Sequence, residues 1–202
     1  MKRLSSLSIC VLIAILAGCS EQPPTAAAKK EAPAEPVTGQ TAIYRMYQVA
    51  RTWAPDVQVL KMNSIHLTEV PEVRGKAGAW QATLVSQEKS AARTYSYSVV
   101  EAEGNLHQGV FAQPPESWSG PSGGTKPFLI AAVKVDTDAA YQTALDKAHA
   151  AGQKAPTISF LLEKEDKWTN ATWRVIWGES VGTSGLSVYI DATTGEYLET
   201  MH

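Results

Sequence analysis

The architecture of this chain is clearest in the stretch Leu186-Ser-Val-Tyr-Ile-Asp-Ala-Thr-Thr-Gly-Glu-Tyr197. Its first half places leucine, valine and isoleucine at every second position, which is typical of a half-buried β-strand. Gly195 then supplies the positive φ that a tight turn requires. Asp191 can accept the backbone hydrogens of that turn. The stretch therefore predicts an antiparallel β-hairpin.

A helix and two strands are predicted ahead of this hairpin. Alanines recur at helical spacing from Asp136 to Ala151, and Gly152 can adopt the left-handed conformation that ends a helix. Period-two alternation predicts strands at Thr157–Leu162 and at Trp173–Trp177. The C-terminal part of the chain is thus a helix followed by antiparallel strands.

The same order of elements occurs earlier in the chain. A helix ended by Pro55, two strands and a hairpin are predicted at Thr41–Ala54, Val57–Met62, Trp80–Val85 and Thr94–Leu106. The strand-leading tryptophans, Trp80 and Trp173, lie 93 positions apart, and the hairpin glycines, Gly104 and Gly195, lie 91 apart. This agreement in spacing indicates an internal duplication.

We therefore predict an α+β fold of two tandem small units, each with one helix packed on an antiparallel β-sheet. The first unit spans residues 41–112 and the second spans 128–202, with a Pro/Gly-rich linker at 113–127 between them. A unit of about 70 residues builds only a marginal core, so the two are expected to pack together. The groove between them is the default binding site, because ligands favour such boundaries.

The second unit resembles the PepSY domain. The residues that carry the resemblance are Val135-Asp-Thr-Asp-Ala-Ala-Tyr-Gln-Thr-Ala-Leu145, Trp173-Arg-Val175 and Val188-Tyr-Ile-Asp-Ala-Thr-Thr-Gly-Glu-Tyr-Leu198. The match covers residues 128–200, and the first unit is similar only through the internal repeat. The resemblance implies an extracytoplasmic α+β binding module, associated with protease propeptides, that restrains peptidases. It implies no catalytic activity.

The N-terminus has the order of a secretory signal. Lys2 and Arg3 precede an apolar run, Ile9–Ala17, that is too short to span a bilayer. The following Leu-Ala-Gly18-Cys19 resembles the bacterial lipobox, which implies cleavage between Gly18 and Cys19 and lipidation of the cysteine. A plain signal peptide with an incidental cysteine is the alternative. We predict a lipoprotein signal peptide over residues 1–18.

The segment after the cysteine predicts a tether. Residues 19–40 are rich in proline, alanine and charge and hold no aromatic residue, so we expect them to be disordered. Acyl chains on Cys19 would hold the protein to the membrane. Ser20, rather than aspartate, resembles the sorting signal of outer-membrane lipoproteins, which predicts a protein facing the periplasm if the organism has two membranes.

The charge and the cysteine count exclude several function classes. Loss of Lys2 and Arg3 with the signal leaves 16 basic against 20 acidic side chains, a net charge of −4, so we expect no nucleic acid partner. Cys10 would leave with the signal and Cys19 would carry lipid. No disulfide framework and no thiol chemistry are therefore expected.

The sequence gives no reason to expect a catalytic, cofactor or metal site. The histidines are too far apart for a metal pair, and no nucleophile motif occurs; these histidines are His66, His107, His149 and His202. Asp191 and Glu196 are better explained as hairpin residues than as an acid–base pair.

Aromatic side chains are the remaining candidates for contact with a partner. Trp80 and Trp173 are predicted to lie under the helices, in two small cores. Tyr95 and Tyr97 share one strand face and, if exposed beside Trp118 of the linker, would form a contact surface. The sequence leaves open whether these faces are core or surface.

These observations lead to two hypotheses about function. The first is a lipid-anchored extracytoplasmic binding module without catalytic activity, which docks an envelope protein or peptide and restrains a peptidase. The alternative is a structural accessory lipoprotein of an outer-membrane assembly. An enzyme is not expected, because no catalytic constellation occurs in the sequence.

Overall fold

The computed structural model describes residues 34–150 and 157–202, without the side chains of His149 and Ala150. It has two α-helices, α1 (Gly39–Trp53) and α2 (Thr137–Ala150), both close to the predicted positions. The Thr38 hydroxyl caps α1 by accepting a bond from the amide of Thr41, and the helix ends just before Pro55. The predicted signal peptide, residues 1–18, lies outside the described residues.

Eleven strands occur in the described residues. They are β1 (Val37–Thr38), β2 (Gln58–Ile65), β3 (Lys76–Ala77), β4 (Ala79–Ser86), β5 (Ala91–Ser98), β6 (Gly109–Ala112), β7 (Glu116–Ser117), β8 (Ile158–Glu163), β9 (Thr172–Trp177), β10 (Leu186–Asp191) and β11 (Tyr197–Met201). Nine of them form one antiparallel sheet in the order β11-β10-β9-β8-β2-β4-β5-β6, with β7 also paired to β5. The other two, β1 and β3, pair with each other.

The prediction of two tandem units, each with its own sheet, is wrong. The first strands of the two halves, β2 and β8, pair with each other through Lys61–Asn63 and Leu161–Glu163, which makes the sheet continuous. An unpaired edge strand exposes a row of backbone hydrogen-bonding groups, and half of this chain builds only a small core. Joining the halves edge to edge satisfies those groups and lets one core serve both.

Both helices cover the same side of the sheet, where they enclose one hydrophobic core. Helix α1 packs on β4 and β5, and α2 packs on β9 and β10. The core takes side chains from both halves, among them Ile43 and Met46 of α1, Trp80 of β4, and Trp173 and Val175 of β9. We call this side of the sheet the covered face.

The two repeated tryptophans meet in the middle of the covered face. The rings of Trp80 and Trp173 are fully buried and pack edge to face, with centroids 6.5 Å apart. The indole Nε1 of Trp80 donates to the carbonyl of Val37 at 3.1 Å, and that of Trp173 donates to Val135 at 2.8 Å. Each tryptophan therefore holds the backbone just ahead of the helix of its own half.

The N-termini of the two helices are bonded to each other. Asp136 Oδ1 accepts bonds from the amides of Thr137, at 2.7 Å, and of Gln40, at 2.9 Å, so one carboxylate caps both helices. The amide of Gly39 donates to the Thr137 hydroxyl at 2.8 Å. A Cβ on Gly39 would lie 2.7 Å from Thr137 Cγ2 and 2.8 Å from Trp173, which explains the glycine.

Two predicted boundaries change in the structure. The last four residues of the segment predicted as a tether, 19–40, belong to secondary structure: Val37 and Thr38 form β1, and the next two residues begin α1. The predicted linker, 113–127, is bonded to the sheet through β7 and through the Lys126 amide, which donates to the Lys164 carbonyl at 2.8 Å. In the described residues, no helix has the length and apolar character needed to cross a membrane.

Candidate binding surface

The side of the sheet that faces away from the helices is partly exposed and carries polar side chains together with a few buried apolar ones, such as Ala79 and Ile176. Because side chains alternate along a strand, Gln81 and Thr83 point away from the covered face while their neighbours Trp80 and Ala82 are buried. An antiparallel sheet commonly leaves one face to water in this way. We call this side the open face.

The predicted contact surface is wrong for its two tyrosines. Tyr95 is fully buried and Tyr97 is 5% exposed, because both point from β5 to the covered face. The Arg45 side chain of α1 bonds to the Tyr97 hydroxyl at 2.5 Å and lies over its ring. Trp80 and Trp173 are core residues, as predicted, although in one shared core.

Trp118, the third predicted contact residue, lies half-exposed among three adjoining hollows. The largest has a volume of about 680 Å³ and is bounded by Trp118 and by Gln87, Ser90, Ser117, Ser119, Gly120, Pro121 and Pro127. The second, of about 400 Å³, is lined by Trp118 together with Asp56, Gln58, Val85, Gln87 and Glu88. The third, of about 200 Å³, lies between Trp118 and Leu60, Lys61, Ser122 and Thr125. We call these hollows together the Trp118 groove.

The backbone around the Trp118 groove is held in place by hydrogen bonds. The Trp118 amide donates to the Ser90 carbonyl at 2.9 Å, next to the pairing of β7 with β5. Asp56 accepts bonds from the Glu88 amide at 3.0 Å and from the Ser86 hydroxyl at 2.6 Å. These bonds hold the pKa of Asp56 below its ordinary value, so this carboxylate at the edge of the groove stays ionised.

A second group of polar side chains occupies the open face of the C-terminal half. We call it the charged–aromatic cluster, and its members are Glu163, Glu165, Trp168, Arg174 and Tyr189. The Arg174 Cζ atom lies 5.1 Å from the centre of the Tyr189 ring, and the Trp168 ring lies 6.3 Å from it. Burial, followed by the charge of Glu165, raises the pKa of Glu163. Burial also raises the pKa of Tyr189.

The charged–aromatic cluster was missed by sequence reasoning. Arg174 and Tyr189 are neighbours across β9 and β10, and Arg174 interrupts a strand whose other residues are all buried. That interruption was the available signal. The strand pairing that brings the two side chains together was not visible in the sequence.

None of the described histidines lines the Trp118 groove or belongs to the charged–aromatic cluster. His66 Nδ1 is 2.9 Å from Glu72, His107 Nδ1 is 2.6 Å from Glu101, and His202 is exposed. Within residues 34–150 and 157–202, no three histidine, cysteine or acidic side chains are grouped as a metal site would require. The fourth histidine, His149, has no described side chain.

The carboxylate of Asp191 shapes the last hairpin, as the sequence predicted. Its Oδ1 accepts bonds from the amides of Thr193 and Thr194, at 2.7 and 2.9 Å, and its Oδ2 accepts one from Asn170. Glu196 is exposed at the end of that turn. The predicted lipidation and cleavage residues, Cys19 and Gly18, lie outside the described residues.

Comparison with known proteins gives a similarity of fold. No protein-family model and no curated protein matches the sequence. The structure is similar to the crystal structure of a candidate lipoprotein from Clostridium difficile 630, with a TM-score of 0.50 and 8% sequence identity. The similarity covers 85% of this chain and 95% of that chain. At this level of identity it concerns the fold alone.

Proposed function

We propose that this chain is a lipid-anchored extracytoplasmic binding module without catalytic activity, which docks a protein or peptide in the Trp118 groove. The observation that carries the proposal is the position of Trp118, whose side chain borders all three hollows of the groove. A large concave site with a few polar groups is the default binding site of a protein.

Two properties of the groove favour a macromolecular partner. Tryptophan is the residue type most enriched among the side chains that dominate binding energy at protein interfaces. The bonds from Trp118 to Ser90 and from Glu88 to Asp56 fix the surrounding backbone before a partner arrives. Binding to such a rigid surface costs less conformational entropy than ordering a flexible loop.

The anchoring part of the proposal comes from Leu16-Ala-Gly-Cys19, and the similarity of fold to a candidate lipoprotein supports it. In a bacterium with two membranes, Ser20 favours the outer membrane, with the domain in the periplasm. The resemblance of residues 128–200 to PepSY domains favours a peptidase as the partner. Tethering would raise the local concentration of the module beside such a partner.

A crosslinking pull-down from intact cells tests the proposal. We would compare the wild type with Trp118→Ala and with Tyr44→Ala, a matched aromatic control that is 41% exposed on α1, away from the groove. We expect Trp118→Ala to capture at least about tenfold less partner than the wild type, since an anchor tryptophan contributes about 2 kcal/mol or more to the binding free energy. Tyr44→Ala should capture as much as the wild type.

The identity of the captured protein separates the functional alternatives. A peptidase that is inhibited by the purified module would support restraint. A single large membrane assembly at fixed stoichiometry would instead favour an accessory structural role. Equal capture by Trp118→Ala and the wild type would refute docking in the groove. A Cys19→Ala variant measures how much of the capture depends on the anchor.

A further inference from the structure

Trp118 differs from the other two half-exposed tryptophans in the described part of the chain. The Arg93 Cζ atom lies 6.0 Å from the centre of the Trp53 ring. The Lys167 Nζ atom lies 4.7 Å from the centre of the Trp168 ring. Among the described residues, no lysine or arginine lies over the ring of Trp118. Of these three rings, that of Trp118 is therefore the one that can attract a cation from outside the chain.

The second hollow of the Trp118 groove is lined by acidic residues and by no basic one. Asp56 and Glu88 are among its six lining residues, and the other four are uncharged. Within the described part of the chain, neither carboxylate belongs to an ion pair within 4.0 Å. Lys61 lines the third hollow instead, and Lys89, which follows Glu88 in the turn, lines neither of the two. The ring of Trp118 thus shares this hollow with two carboxylates that are free to meet a cation.

The half-exposed carboxylate of Asp56 is held in place and keeps room for further hydrogen bonds. Its Oδ1 accepts one bond from the Ser86 hydroxyl, at 2.6 Å, and its Oδ2 accepts one from the Glu88 amide, at 3.0 Å. A carboxylate oxygen has two acceptor positions, so each oxygen can accept one more bond. Two parallel N–H donors on a planar group match such a pair of acceptors, and the guanidinium of arginine presents them.

Given the proposed function, on which this inference rests, we infer that the second hollow accepts the guanidinium of an arginine side chain of the docked partner. The planar group stacks on the Trp118 ring and donates to Asp56, while the charge of Glu88 adds attraction at the rim. A lysine ammonium is a point charge that neither stacks nor forks, so arginine is preferred. The partner is thus a protein or peptide that presents an accessible arginine.

Side-chain NMR of the full chain in nonionic detergent micelles tests the inference directly. The probes are two tripeptides blocked at both ends, one with arginine between two glycines and one with citrulline, its neutral isostere, in the same place. We expect the arginine probe to shift the Nε1–H signal of Trp118 in a saturable way and to bind at least about tenfold tighter than the citrulline probe, because citrulline lacks the charge. The signals of Trp80 and Trp173 should not move, because both donors are already bonded to backbone carbonyls.

Substitutions in the hollow show which groups hold the guanidinium. Asp56→Asn removes the charge at the fork and should weaken binding of the arginine probe at least about tenfold. Glu88→Gln should weaken it about twofold, because the charge of this exposed carboxylate is screened by water. Glu103→Gln is the matched control, since it removes the charge of another exposed glutamate that does not line the groove. It should leave the affinity unchanged.

Three results would overturn the inference. They are the lack of a saturable shift at Trp118, equal binding of the citrulline probe, and equal affinity of Asp56→Asn and the wild type for the arginine probe. The pull-down with Trp118→Ala tests the docking of the partner separately. Less capture by that variant, together with no binding of the arginine probe, would refute the arginine and leave docking in the groove standing. Equal capture, together with saturable binding of the arginine probe, would refute the docking and support the specificity of the hollow.

Discussion

The two halves of the sheet are alike on their covered faces and different on their open faces. On the covered face each half places a buried tryptophan, Trp80 or Trp173, under its helix and bonds the indole to the backbone just before that helix. On the open face the N-terminal half carries neutral polar side chains such as Gln81 and Thr83, with Lys61 beside Thr83. The C-terminal half carries Arg174 among acidic and aromatic neighbours.

This difference shows that the fold depends on the side chains of the covered face and much less on those of the open face. A core packed at the density of a crystal tolerates little change in volume, so both halves retain the same solution around the tryptophans. The open face packs against no helix in the described structure, so its polar side chains, such as Gln81 and Thr83, can differ without loss of the core under the helices. We therefore expect substitutions on the covered face to change stability and those on the open face to change binding.

Removing either tryptophan should have the largest effect. We expect Trp80→Ala and Trp173→Ala each to lower the free energy of unfolding by about 3–5 kcal/mol, since each leaves a large cavity in the shared core. Because the two rings touch, the double variant should lose less than the sum of the two single losses. Chemical denaturation measures the free energy of unfolding of the two single variants and the double variant. A much larger loss for one tryptophan than for the other would show that the covered faces of the two halves are not equivalent.

A smaller loss is expected from Gly39→Ala. The added methyl group would press on Thr137 and Trp173, so we expect a loss of about 1–3 kcal/mol from overpacking where the halves meet. Gly182→Ala is the matched control, because a Cβ there meets nothing within 4 Å. Thermal unfolding of the two variants compares them, and equal melting temperatures would contradict the close approach at Gly39.

Asp136→Ala should destabilise both halves at once. The carboxylate accepts bonds from the first turns of α1 and α2, so its removal should cost about 1–2 kcal/mol, the usual range for a lost helix cap. Hydrogen exchange should then speed up at the start of both helices. Asp138→Ala, which removes only a bond to the next residue of α2, serves as the control and should leave the exchange of α1 unchanged.

The smallest effect on stability is expected on the open face, at Glu163. The folded protein raises the pKa of this carboxyl above its ordinary 4.5, so the folded state holds the proton more tightly than the unfolded chain. The resulting stabilisation is complete at pH values below the pKa that Glu163 has in the unfolded chain. It is lost as the pH rises through the pKa that Glu163 has in the folded protein.

Glu163→Gln removes this titration and tests its sign. The variant should show a smaller fall in stability above pH 4.5, and at neutral pH it should equal or exceed the wild type by less than about 1 kcal/mol, because the site is partly screened by water. Denaturation curves at a series of pH values give the slopes. A steeper fall in stability with pH for the variant than for the wild type would mean that folding lowers the pKa of Glu163.

The local elements could be predicted from the sequence because their signals are local. The spacing of Ile43 and Ala50, and the proline after Ala54, are enough to place α1, and the period-two pattern places β10. The repeated tryptophans correctly indicated core positions. Such signals depend on residues a few positions apart, which composition and periodicity report directly.

The joining of the halves could not be predicted in the same way. It depends on the pairing of Met62 with Leu162, residues 100 positions apart, and either strand alone could equally have been an edge. The same limit applies to Tyr95 and Tyr97, whose strand alternates but gives no sign of which face meets a helix. The charged–aromatic cluster likewise requires three strands to be placed side by side.

Site-specific photo-crosslinking in intact cells tests whether a partner binds at the Trp118 groove and the open face, and not on the helices that cover the other face of the sheet. A photoreactive amino acid would be placed at position 118 in the groove, at position 83 on the open face, and at positions 44 and 49 on the exposed surface of α1. We predict crosslinks to one shared partner from positions 118 and 83 and none from α1. Crosslinks to that partner from α1 alone would show that the partner binds the helices and not the open face.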